Sequence, residues 1–162
     1  MPEAGTSRPV FSTTEGWYSW IGVSLAATGL LAVVLGLPTA PPPDARAVAT
    51  VVDGTAGSDY AGRTTVELDA TRLRLTTRGV TLETARGTAH AGFDAGPVVP
   101  VREGPLLAVL DGSDPRRVFA DSASFRRAVE RARARQPTWR PAPETLRARQ
   151  LTWGETRVTL VG

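Results

Sequence analysis

Cysteine is absent from these 162 residues. That excludes disulfides, thiolate-ligated zinc and thiol catalysis. Lysine and asparagine are absent as well, so all 19 basic residues are arginine. Without asparagine the chain has no N-x-S/T glycosylation acceptor. Histidine occurs once, as His90, so any Ser-His-Asp arrangement or histidine-based metal site must use that residue. Two alternative readings are open for an all-arginine cation set. A GC-rich genome favours Arg, Ala, Gly and Pro codons, and a planar guanidinium fork suits phosphate and carboxylate better than an ammonium does.

What the chain does have is a long uncharged run. Residues 17–37 carry no charge over 21 positions. As a helix they would span roughly 31 Å, close to the ~30 Å hydrocarbon core of a bilayer. The run exceeds the 7–15 residues of a signal-peptide core, and the tail before it sets only Arg8 against Glu3 and Glu15. An uncleaved transmembrane helix is therefore expected; cleavage after Ala45-Arg46-Ala47 is the alternative. Trp17, Tyr18 and Trp20 fall where an aromatic belt would meet the headgroups. Pro38 would stop the helix, and Pro41-Pro42-Pro43 reads as a stiff extended spacer. The expected organisation is a tail at 1–16, the membrane helix at 17–37, a Pro-rich linker at 38–44 and a domain at 45–162. Arg8 and Arg46 tie in the positive-inside count, and the short tail favours a domain outside the cell.

Gly22, Gly29 and Gly36 recur every seven residues, with Ala26 and Val33 between them on the same face. Such a small-residue seam lets membrane helices approach closely, and glycine is also simply frequent in membrane helices. A second copy or another protein is the implied helix partner.

The roughly 117 residues beyond the linker suffice for one domain with one core. Asp44 can cap a helix starting at Ala45 and ending by Gly54 or Gly57. Short alternating runs follow at 64–68, 72–75, 80–84 and 88–93, with turns at Gly79 and Arg86-Gly87. Residues 98–101 and 106–110 read as further strands, and Pro100 confines the first of these to an edge or a bulge. Phe125, Ala128, Val129 and Ala132 form one helical stripe after a cap at Asp121 or Ser122, and Pro137 stops that helix. Residues 146–153 and 156–161 are joined by a Gly154-Glu155 hairpin turn. The expected fold is α+β: one N-terminal transmembrane helix, then a small antiparallel-sheet domain with one packed amphipathic helix.

Charge is concentrated. Residues 114–149 hold ten arginines against four acids, whereas residues 44–113 hold seven against nine. Arg126, Arg127, Arg131, Arg133 and Arg135 are the expected basic surface, flanked by Arg116, Arg117 and Arg140. That surface could meet an acidic protein, anionic lipid headgroups or nucleic acid. Nucleic acid ranks last, because only Phe119, Phe125 and Trp139 supply aromatic faces nearby. The segment Asp111-Gly112-Ser113-Asp114-Pro115 reads as a turn and lacks the flanks of a nucleophile elbow. Asp111 and Asp114 do not match a calcium loop. No catalytic residue, cofactor or metal is expected, and a hydrolase built on His90 is a residual alternative.

The order of Trp17-Tyr18-Ser19-Trp20, the anchor ending in Leu37-Pro38-Thr39-Ala40-Pro41-Pro42-Pro43-Asp44, the strand Gly87-Thr88-Ala89-His90-Ala91, the segment Gly96-Pro97-Val98-Val99-Pro100-Val101 and the later helix from Phe125 to Arg135 resembles a family of uncharacterised single-pass membrane proteins from halophilic archaea. The resemblance implies a cell-envelope location and a role beside archaeal pilus-like assemblies. It implies no functional residues. One departure is the net charge of +3, where halophilic proteins are usually strongly acidic. The function expected is a non-enzymatic, membrane-anchored envelope protein, an interaction or accessory subunit of a surface assembly. Its partners would be the bilayer and a protein met through the apolar or the basic helix. The alternative is an anionic-ligand or lipid-headgroup module using the arginine-rich helix.

Overall fold

A computed structural model describes residues 43–162. Helix α1 spans Ala45–Ala56. An Asp44 carboxylate oxygen accepts from the Ala47 amide at 2.8 Å, as the cap reading requires. Ala45, Val48, Ala49, Val52 and Thr55 are its buried positions, spaced at three and four residues. Gly54 does not break the helix, and its missing side chain faces open space. The Gly57 amide closes the end by donating to the Asp53 carbonyl at 2.8 Å.

Eight strands follow, in two sheets. β1 (Arg63–Glu67), β7 (Thr145–Trp153), β8 (Thr156–Val161) and β5 (Val99–Pro100) form the first sheet, in the order β1-β7-β8-β5. β4 (Gly87–Gly92), β3 (Gly79–Thr84), β2 (Arg72–Leu75) and β6 (Arg140–Pro141) form the second, in the order β4-β3-β2-β6. All pairings are antiparallel except β5 with β8, where Val99 lies opposite Leu160. Three more helices complete the domain: α2 (Pro105–Leu110), α3 (Pro115–Val118) and α4 (Ser122–Ala134).

The apolar side chains divide between two cores. In the first, α1 packs Val48, Ala49 and Val52 against Leu73, Val80 and Leu82 of the second sheet and Leu146, Ala148 and Val161 of the first. In the second, α2 and α4 cover the other face of the first sheet, joining Val109, Leu110, Phe125 and Val129 to Leu151, Val158 and Leu160. Side chains alternate across a strand, so β7 sends Leu146 and Ala148 to one core and Leu151 to the other. Phe125 is wholly buried. It meets Phe119 edge-on at 5.5 Å between ring centroids and Trp153 at 5.6 Å.

The expected fold is corrected on three points. The domain is mixed α/β with two sheets, not one antiparallel sheet. β1 pairs with the distant β7 and not with its neighbour β2, and β5 pairs in parallel. Alternation reports which residues face inward, and it is silent on which strand lies alongside. Second, residues 106–110 form a helix, not a strand. Gly104 at φ +79° turns the chain, and Pro105 takes the first helical turn. A five-residue apolar run carries no period that separates the two forms. Third, α1 and α2 pack against the sheets as well as α4. Among the described residues no helix is long and apolar enough to cross a membrane; the longest, α4, has 13 residues. The transmembrane helix expected at 17–37 lies outside the described residues, as do Gly22, Ala26, Gly29, Val33 and Gly36.

Phe125→Ala should destabilise the domain by about 3–5 kcal/mol, the usual cost of emptying a large aromatic site in a core. Urea unfolding of the variant against the parent measures it. A second outcome concerns the α4 cap. The Ser124 amide, then its hydroxyl, holds the Asp121 carboxyl below its ordinary 3.8. A depressed carboxyl contributes its stabilisation above the unfolded value, and the contribution is lost as pH falls through the folded one. Asp121→Ala should therefore narrow the difference from the parent as pH drops below about 4, read from thermal melts across that range.

Candidate anion-binding surface

Helix α4 begins with a reciprocal cap. The Ser124 amide donates to the Asp121 carboxylate at 2.6 Å, and the Asp121 amide donates to the Ser124 hydroxyl at 3.3 Å. With Phe125, Ala128, Val129 and Ala132 turned inward, the arginines are left to the rest of the circumference. Arg126 pairs with Glu130 at 3.9 Å on the exposed side. Arg131 donates from Nε to the Arg127 carbonyl at 3.3 Å. Around the end of α4, Arg131 and Arg135 border a hollow against the loop joining β5 to α2, and Arg133 and Arg135 border an adjoining one that reaches Leu75, Thr76 and Thr77.

These two pockets, of about 230 and 160 Å³, make up one groove. They share Pro100, Arg102, Ala132 and Arg135. Arg102 donates to the Thr138 hydroxyl at 2.6 Å. Arg135 reaches Glu103 at 3.4 Å, an exposed pair that contributes little to stability. Beside Arg102 lies Arg140. Its Nη2 is buried and has no hydrogen-bond partner among the described residues. Burial first, then the nearby Arg102 charge, lowers its pKa below the ordinary arginine value. A charged nitrogen left without an acceptor is uncommon among buried polar groups.

A second arginine group escaped the sequence reading. Arg147 and Arg149 share one face of β7, and Arg63 of β1 lies directly opposite Arg149. All three converge on the turn after α2. Arg63 donates to the Asp111 carbonyl at 2.8 Å, and Arg147 pairs with the Asp111 carboxylate. Arg149 donates to the Val109 carbonyl and, at 2.9 Å, to that of Ser113. These guanidiniums satisfy carbonyls at the end of a helix, a structural use. Burial, then the Arg63 charge, lowers the Arg149 pKa, and Asp114 opposes the effect. The only advance signal was the alternation of arginine at 147 and 149; their partner lies some 36 residues earlier in the chain.

Asp111 and Asp114 are thereby committed. Asp114 caps α3 by accepting from the Arg116 amide at 2.9 Å. His90 lies on β4, exposed, with Nδ1 at 3.1 Å from the Thr81 hydroxyl. It borders a polar hollow with Arg46, Thr50, Asp53 and Asp94. Asp53 accepts there from the Asp94 and Ala95 amides. Trp139 lies under both Arg72 and Arg74, each 5.2 Å from its ring centre. That face is taken up by cations of the same domain.

The described residues thus define a mixed α/β, two-sheet domain in which one arginine group closes the end of α2 and another borders an open groove beside α4. The chain belongs to the family of unknown function DUF7283, whose model matches residues 12–151. No curated protein and no solved structure matches it.

Gly112 tests the structural arginine group. Its φ is +124°, and a Cβ there would lie 3.2 Å from Arg63 Nη1. Gly112→Ala should destabilise the domain by about 1–3 kcal/mol through backbone strain, measured by urea unfolding. Arg86→Ala, in the exposed β3–β4 turn, should stay within about 0.5 kcal/mol.

Proposed function

We propose that this protein is a non-enzymatic, membrane-attached component of the cell envelope, acting as an interaction or accessory subunit of a surface, pilus-like assembly. The extent of the family match carries the reading. It begins at residue 12 and continues to 151, so it takes in the charge-free stretch 17–37 together with the domain. A stretch of bilayer length joined to a domain by a few prolines is suited to holding that domain at a membrane. The resemblance to single-pass membrane proteins of halophilic archaea supports the envelope location and the surface-assembly role. The partners proposed are the bilayer and a protein met through the apolar stretch or the basic helix. The domain is proposed to lie outside the cell.

A second reading is favoured by the groove beside α4: an anionic-ligand or headgroup-binding module. A hydrolase based on His90 has less support, because the hollow beside that residue is bordered by neither serine nor cysteine.

Protease treatment of intact cells tests the main reading. Digestion of residues 46–162 without lysis is the expected result. Protection until lysis would overturn the surface location and the assembly role that depends on it.

A further inference from the structure

We infer that the groove between the β5–α2 loop and the last turn of α4 is a binding site for a phosphate group. The inference rests on the anionic-ligand reading of the basic helix and moves the site from the outer face of that helix into the groove. Arg102 from the loop and Arg135, which caps the end of α4, border both of its pockets; Arg131 of α4 borders the first and Arg133 the second. Glu103 is the one carboxylate there. The carboxyl end of a helix carries roughly half a negative charge, which disfavours an anion at that place. Four cations outweigh that half charge and one carboxylate together, so the groove keeps an excess of positive charge.

The charge of Arg102 also reaches Arg140, an arginine beside the groove. Arg102 is held there by Thr138 at 2.6 Å. Arg140 in turn keeps a buried nitrogen without an acceptor among the described residues. Like charges gathered around an open groove are stabilised when an anion enters it, because the anion screens their repulsion and accepts several hydrogen bonds at once. Planar guanidinium forks match the paired oxygens of a phosphate. The floor is apolar, with Val101, Leu106 and Ala132, so water competes less for those bonds than on an open helix face. Arg126 and Arg127 do not border the groove; Arg126 already faces Glu130. A lipid headgroup and a free phosphate present the same chemistry.

The test is calorimetric titration of the full chain in a non-ionic detergent at constant ionic strength. One arm uses inorganic phosphate. The other uses short-chain phosphatidylglycerol, with short-chain phosphatidylcholine as the zwitterionic comparison. Saturable binding is expected, weakened about tenfold or more by Arg102→Gln and by Arg133→Gln, each losing a charge-assisted hydrogen bond. Arg133 is exposed on α4, so that variant reads binding even where Arg102→Gln perturbs the loop. Arg86→Gln should leave the affinity unchanged. Tighter binding of phosphatidylglycerol than of phosphate or phosphatidylcholine supports a lipid source; phosphate binding of equal strength supports a free phosphate. Loss of binding in the Arg126→Gln, Arg127→Gln pair with the groove variants intact overturns the groove while the basic-helix reading stands. An equal loss in Arg86→Gln overturns the site as mere charge screening. No saturable binding of any probe overturns both the site and the anionic-ligand reading.

Discussion

Strand β7 has no free side. It pairs with β1 along one edge and β8 along the other, and both of its faces are covered. Leu146 and Ala148 lie in the core with α1 and the second sheet, while Leu151 lies in the core with α2 and α4. The two cores therefore share a backbone. A shift of β7 by one residue would exchange its inward sets and expose polar groups to both cores at once. The register of this one strand thus fixes where α1, α2 and α4 can pack, and the groove beside α4 follows from it.

The same strand sorts the charges. Its odd positions Arg147, Arg149 and Leu151 lie on the side of α2 and α4, and Arg147 and Arg149 end at the carbonyls and carboxylate after α2. There a guanidinium answers the unpaired carbonyls that every helix end leaves. The arginines of α4 have no comparable set of acceptors. Arg126 has an exposed, salt-screened pair at the edge of ion-pair distance. Arg131, Arg133 and Arg135 border open space with Arg102. An abundance of one residue type thus resolves into two physical roles: closing backbone hydrogen bonds, and carrying a charged surface.

Local features were legible because their causes are local. Asp44 and Asp121 sit before helical stripes and cap them. Gly154, at φ +59°, makes the turn that its position between two alternating runs implies. Pro100 lies on an edge strand, where a missing amide costs no ladder bond. Residues 106–110 were misread because an unbroken apolar run fits a helix and a strand equally well. The groove was half legible. Arg131, Arg133 and Arg135 stand out by density, but Arg102 comes from a separate element and joins them only through folding.

By itself the sequence determined the periods, caps and turns, the exclusion of thiol chemistry, and the concentration of arginine in the later half. It also fixed a charge-free stretch of bilayer length at 17–37. Tertiary structure alone decided that the strands divide into two sheets, that β5 runs parallel to β8, and which arginines close a helix end and which border the groove. The reason is one of range. A cap or a turn is decided by energies among neighbouring residues, whereas a strand's partner is decided by the burial of faces brought together from opposite ends of the chain.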